Sequence, residues 1–98
     1  MSKKDPTGGP VGNLDYLELV REASRRTFLP EETVRMVLEG LLEVMGEALI
    51  ERKRVILREF GTLRIQLRSN PKIGDHVVTV FRTSNALQEK LTKELIHG

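Results

Sequence analysis

The chain has 98 residues, a net charge of only +2, no cysteine and no tryptophan. That length fits one small domain with a thin core, a size at which oligomerisation is a common way to bury more surface. The lack of cysteine excludes disulfides and thiolate metal sites and fits a reducing compartment, and no apolar run approaches the ~20 residues of a membrane span.

In chain order, residues 1–12, MSKKDPTGGPVG, are polar and rich in Gly and Pro. They read as a disordered tail and lack the apolar stretch of a secretory signal. A first helix is expected from about Leu14 to Arg26, capped by Asn13, with Leu17, Val20 and Ser24 on one stripe beside Ala23. A second, longer helix is expected to carry Pro30 in its first turn, with Glu31 and Glu32 at the positive end of its dipole. Its apolar stripe (Val34, Val37, Leu38, Leu41, Met45, Ala48, Leu49) is widened by Met36, Leu42, Val44 and Ile50 beyond one face. A helix apolar on more than one side is buried on more than one side, and the rest of this chain is short of material to cover it. A second copy is the expected cover. Gly40 and Gly46 mark close helix contacts or are simply tolerated.

The period then changes. Val55–Leu57 reads as a short strand and Gly61 as a turn or bend. Leu63, Ile65 and Leu67 alternate with Arg64, Gln66 and Arg68, the signature of a half-buried strand. LRSNPKIGD follows as a hairpin tip, longer than a two-residue turn. The next strand, HVVTVF, is apolar on both faces, so alternation does not fix which side is inward. Ser84 can cap a last helix bearing Leu87, Leu91 and Leu95. Helix, helix, strand, hairpin, helix is an α+β order.

Charge is unevenly spread. Residues 52–82 carry +6 and the rest of the chain −4, a distribution that points to an anionic partner. No metal-ligand, nucleophile-elbow or phosphate-loop pattern occurs, and His76 and His97 have no carboxylate or nucleophile at a recognised spacing. The expectation is a protein that is not an enzyme, has no cofactor, metal or small-molecule substrate, and does not enter a membrane. A helix-turn-helix reader using the two leading helices is disfavoured, because the second opens on Glu31 and Glu32, which repel phosphate.

EFGTLRIQLR, then NPKIGD, then FRTSNALQEKL together resemble the bacterial histone-like HU and integration host factor (IHF) family. Its pattern is a Phe-Gly-x-Phe turn, a basic arm with an Asn-Pro-x-x-Gly tip, and Phe-Lys-Pro-Gly-x-x-Leu entering a short helix. The resemblance covers roughly residues 14–95. It implies an HU/IHF-like domain over 13–98, an intertwined dimer with a helical body, a β-saddle and two arms that grasp double-stranded DNA through the minor groove. It also implies a cytoplasmic, nucleoid-associated protein that bends or condenses DNA with little sequence preference.

By position, Pro71 becomes the wedge between base steps and Asn70 lies beside it at the groove. Gly74 permits the turn. Arg64, Arg68, Lys72 and Arg82 contact phosphates or the groove floor, Arg52, Lys53 and Arg54 lie along a flank, and Arg58 completes the DNA-binding set. Three departures stand out: Leu63 replaces an aromatic, Arg52-Lys53 replaces a usual Gly-Glu turn, and Thr83 replaces a proline. The arm is also short by about five residues on each side of the tip, or roughly 17 Å of reach. Pro71 is thus open between wedge and plain turn residue. The alternative to DNA wrapping is a dimeric interaction or scaffold module of the same fold. A homodimer and a heterodimer with a related chain both remain open.

Overall fold

The computed structural model describes residues 8–97. In order it contains helices α1 (Tyr16–Thr27) and α2 (Glu31–Ile50), strands β1 (Val55–Leu57), β2 (Gly61–Asn70) and β3 (Gly74–Thr83), and helix α3 (Asn85–Thr92), which runs into a π-helical turn over Lys93–His97. This is the expected α+β order. Most of the expected tail, 1–12, lies outside the described residues, and residues 8–12 contain no helix or strand. Two compact units divide at Gly40 and Leu41, inside α2.

In the first unit, Asp15 rather than Asn13 caps α1. Its carboxylate accepts from the Glu18 amide at 3.0 Å, and the Glu18 carboxylate accepts from the Asp15 amide at 3.1 Å. Such a reciprocal capping box satisfies two helix-end donors at once, which a lone Asn13 cannot do. α1 ends on Phe28 in the left-handed region, its amide donating to the Ser24 carbonyl at 2.9 Å. Pro30 stands just before α2 instead of in its first turn, and its carbonyl accepts from the Val34 amide at 3.1 Å. The Tyr16 hydroxyl donates to Glu39 Oε2 at 3.0 Å, joining α1 to α2.

In the second unit, α2 closes with two bonds of a Schellman motif. The Arg52 amide donates to the Leu49 carbonyl and the Lys53 amide to the Ala48 carbonyl, both at 2.9 Å. The motif puts its left-handed residue where glycine is usual, and here that residue is Arg52, with φ 62°. Phe28 (φ 60°) and Glu59 (φ 54°) are likewise left-handed without being glycine, at a cost of about 1–2 kcal/mol each.

The three strands form one antiparallel sheet in the order β1-β2-β3. Gly61 does not make the expected turn. The turn is Arg58–Phe60, and Gly61 opens β2, paired with Leu57 and Thr83. A Cβ on Gly61 would lie 2.3 Å from Phe81 Cζ and 2.6 Å from the Arg82 carbonyl oxygen. Only hydrogen fits there, because the Phe81 ring lies against the Gly61 backbone and packs on Phe60 with 5.6 Å between centroids. Ser84 caps α3 as expected, accepting from the Leu87 amide at 3.1 Å, and its own amide donates to the Phe60 carbonyl at 3.0 Å.

Very little apolar surface is covered. Among the described residues Val20 is the one buried hydrophobic side chain. Met36, Val37, Leu41, Leu42, Val44 and Ile50 of α2 are all exposed, as are Leu67, Val77 and Phe81 of the hairpin and Leu91 and Leu95 at the C-terminal end. A Cβ on Gly40 or Gly46 would meet nothing within 4 Å.

Candidate nucleic-acid interface

The pairing of β2 with β3 fixes which residues of β3 share a face with those of β2. Directly opposed residues of an antiparallel pair point to the same face, and successive residues to opposite faces. Leu63 opposes Phe81, Ile65 opposes Thr79 and Leu67 opposes Val77, so the apolar face carries Val77 and Phe81. Arg64 opposes Val80, Gln66 opposes Val78, Arg68 opposes His76 and Thr62 opposes Arg82. Arg64, Arg68 and Arg82 therefore share the other face. All three are exposed, whereas His76, Val78 and Val80 beneath and between them are half-buried.

Two polar side chains outside the expected DNA-binding set, Gln66 and His76, also lie on this basic face. Gln66 Oε1 accepts from both Arg68 Nε (3.2 Å) and Arg68 Nη2 (2.7 Å), which holds that guanidinium along the strand. His76 stands across from Arg68, its Nδ1 3.2 Å from the Gly74 carbonyl oxygen. Gln66 could have been found from its i±2 spacing to the two arginines. His76 could not, since its place depends on cross-strand register.

At the tip, Pro71, Lys72 and Ile73 connect the paired residues Asn70 and Gly74. Asn70 Oδ1 folds back to accept from the Lys72 amide (2.7 Å) and the Ile73 amide (3.4 Å). This is an Asx turn, and it engages the Asn70 oxygen within the loop. Pro71 takes the first loop position, where its fixed φ assists the turn, and Gly74 adopts φ 79°. Lys72 is exposed. β1 pairs only with Gly61–Leu63 of β2, so Arg64–Asn70 projects as a two-stranded ribbon of roughly 23 Å at ~3.3 Å per residue.

The remaining basic residues are not on this face as a group. Arg52 lines a shallow groove of about 310 Å³ with Leu49, Ile50, Ile65, Leu67, Val77 and Thr79, on the apolar side of the hairpin. Lys53 pairs with Glu51 at 2.9 Å. Arg54 precedes β1 and Arg58 sits in the Arg58–Phe60 turn, both exposed. Among the described residues Arg54, Arg58, Arg64, Arg68, Lys72 and Arg82 form no ion pair within the chain. No group of three potential metal ligands, and no helix long and apolar enough to cross a membrane, occurs among the described residues.

A family model described as "HU domain fused to wHTH, Ig, or Glycine-rich motif" matches residues 6–86. The integration host factor subunit beta of Xanthomonas campestris is 31% identical over 81 residues, covering 71% of this chain and 79% of that one. The integration host factor subunit alpha of Marinomonas is 27% identical over 92 residues, covering 83% and 94%. Among solved structures, an HU variant from Thermotoga maritima superposes with a TM-score of 0.63 at 23% identity, covering 76% of this chain and 93% of that one. An HU–DNA cocrystal structure from Anabaena gives a TM-score of 0.65 at 24% identity, covering 76% and 94%.

Proposed function

The chain belongs to the HU and integration host factor family, and from that premise we propose that it is a dimeric, largely sequence-independent binder of double-stranded DNA. The observation that carries this reading is the segregation of the hairpin's two faces. Arg64, Arg68 and Arg82 stand exposed on one face, over half-buried His76, Val78 and Val80, while the other face carries Leu63, Ile65, Leu67, Val77 and Phe81 and no basic residue of these two strands. A face presenting several unpaired cations attracts a polyanion and releases its counterions. The apolar face, together with the exposed side chains of α2, calls for a second chain as cover, since the one hydrophobic side chain buried among the described residues is far too little to hold a domain of this size.

In this reading Arg64, Arg68, Lys72 and Arg82 are the main phosphate contacts, with Asn70 and Pro71 at the groove. Arg54 and Arg58 extend the contact along the body with Lys53, whereas Arg52, in the groove on the apolar side of the hairpin, is left out of it. The HU–DNA cocrystal among the structural neighbours supports DNA as the ligand. A ribbon of roughly 23 Å is a short arm, suited to lying along a groove rather than circling the duplex. The Asx turn supports a turn-forming role for Pro71, and wedging is an added role that bending assays read separately.

The test is a titration of a nonspecific duplex at several salt concentrations. Four contacts on each of two chains give a slope of log K against log salt of about −7. Affinity should fall about 10³–10⁵-fold between 50 and 200 mM salt, and Arg68→Ala should make the slope shallower by about 2. A slope near zero would overturn the reading in favour of the interaction-module alternative.

A further inference from the structure

The turn between α1 and α2 is not part of the basic hairpin and carries an exposed aromatic ring outside the apolar stripe of α2. Phe28 occupies the left-handed position that ends α1, where glycine or asparagine is ordinary, and the residue is 93% exposed. The loop around it is held firmly. Ser24 Oγ donates to the Leu29 carbonyl at 2.5 Å, and Thr27 Oγ1 donates to the Ala23 carbonyl at 2.7 Å. An aromatic ring in a disfavoured backbone position, packing on nothing within its own chain, weakens the fold and covers no surface there. Leu29, 45% exposed, adjoins it.

The charges on either side of the ring are of opposite sign. Arg25 and Arg26 precede it on the last turn of α1, sharing Glu22 as an intrachain partner yet with 68% and 82% of their side-chain surfaces open. Glu31 and Glu32 follow it on the first turn of α2, both exposed. DNA is a poor occupant for this patch, because those carboxylates repel phosphate. A second copy of the same patch fits: a two-fold axis through the ring sets the arginines of one copy against the glutamates of the other, and an isologous contact needs such self-complementarity.

We infer that Phe28 is the centre of a second self-association surface, through which one dimer contacts the same turn of another. This rests on the preceding reading in that the dimer is the unit being joined. Each dimer carries two such turns, so the contact propagates into linear arrays, and dimers held on one DNA would meet at raised effective concentration.

The experiment is sedimentation of the full chain without DNA across a range of concentrations, comparing wild type with Phe28→Gly. Glycine relieves the left-handed backbone, so the variant should melt no lower than wild type and keep its two-chain species. The larger species seen for wild type at high concentration should require at least about tenfold more protein. Arg26→Glu alone and Glu32→Lys alone should each lose the larger species, and an equimolar mixture of the two should regain it. Wild type without a species above two chains, Phe28→Gly associating like wild type, or a mixture that fails to regain the larger species would each overturn the inference. Wild type sedimenting as single chains would instead overturn the dimer of the preceding section.

Discussion

Gly61→Ala offers a strict test of how β2 and β3 meet. In an unobstructed strand the change would stabilise, since alanine loses less backbone freedom on folding by about 0.5–1 kcal/mol. Here the added methyl would sit 2.3 and 2.5 Å from two ring atoms of Phe81 and 2.6 Å from the Arg82 carbonyl oxygen, whereas ordinary contact begins near 3.4 Å. The ring can yield only by leaving Phe60. The carbonyl can yield only by moving backbone inside the β2–β3 pairing, where Thr62 opposes Arg82. Overpacking against such neighbours costs about 3 kcal/mol, which for a domain of this size lowers the melting midpoint by roughly 10–20 °C. Circular dichroism melts at matched chain concentration measure it, because the midpoint of an associating protein depends on concentration. Adding Phe81→Leu should make the alanine less costly but not harmless, since the carbonyl contact remains. A Gly61→Ala protein that melts at or above wild type would refute the close approach.

Three other outcomes are expected. Arg52→Gly should raise stability in urea melts by about 1 kcal/mol, because it relieves a left-handed arginine; a loss of stability would contradict the Schellman assignment. Tyr16 is the one tyrosine and there is no tryptophan, so tyrosinate absorbance reports it alone. Partial burial, and then the bond to Glu39, hold its hydroxyl above 10.0, so the stability linked to it is complete below the unfolded-state value and is lost as pH rises through the folded one. Glu39→Leu, which removes the acceptor, should bring the midpoint down part of the way, leaving the share due to burial, and an unchanged midpoint would rule out the hydrogen bond in solution. Pro71→Ala should reduce end-to-end DNA bending more than affinity if Pro71 wedges a base step, and should leave any bend unaltered if it only shapes the turn.

Much of the architecture is readable from residue types that act locally. Ser84 caps α3 because its hydroxyl reaches a nearby amide, and β2 alternates because one face is apolar. α1 begins at Asp15 rather than Asn13 because Asp15 and Glu18 cap each other, a pairing visible in the sequence as Asp-x-x-Glu. The misplaced turn at Gly61 has a different origin. Glycine there answers a tertiary contact, the Phe81 ring, and residues 20 apart carry no local signature of that contact. The basic face was half legible for the same reason: Arg64 and Arg68 share a face by spacing alone, but Arg82 and His76 join them only through the pairing of Leu63 with Phe81. Arg52 had the opposite fate. Its charge suggested a place with the others, but the Schellman closure of α2 turns it toward the apolar side.

That Val20 is the one buried hydrophobic side chain among the described residues bears on how the amount of this protein is set, if a second chain supplies the missing cover as proposed. A chain that borrows its core from another chain holds its folding equilibrium in its own abundance. Under the proposed dimer, copies below the association threshold would be less folded and more open to proteolysis. Synthesis would then act as a threshold switch, with the folded population rising once chains are plentiful enough to pair.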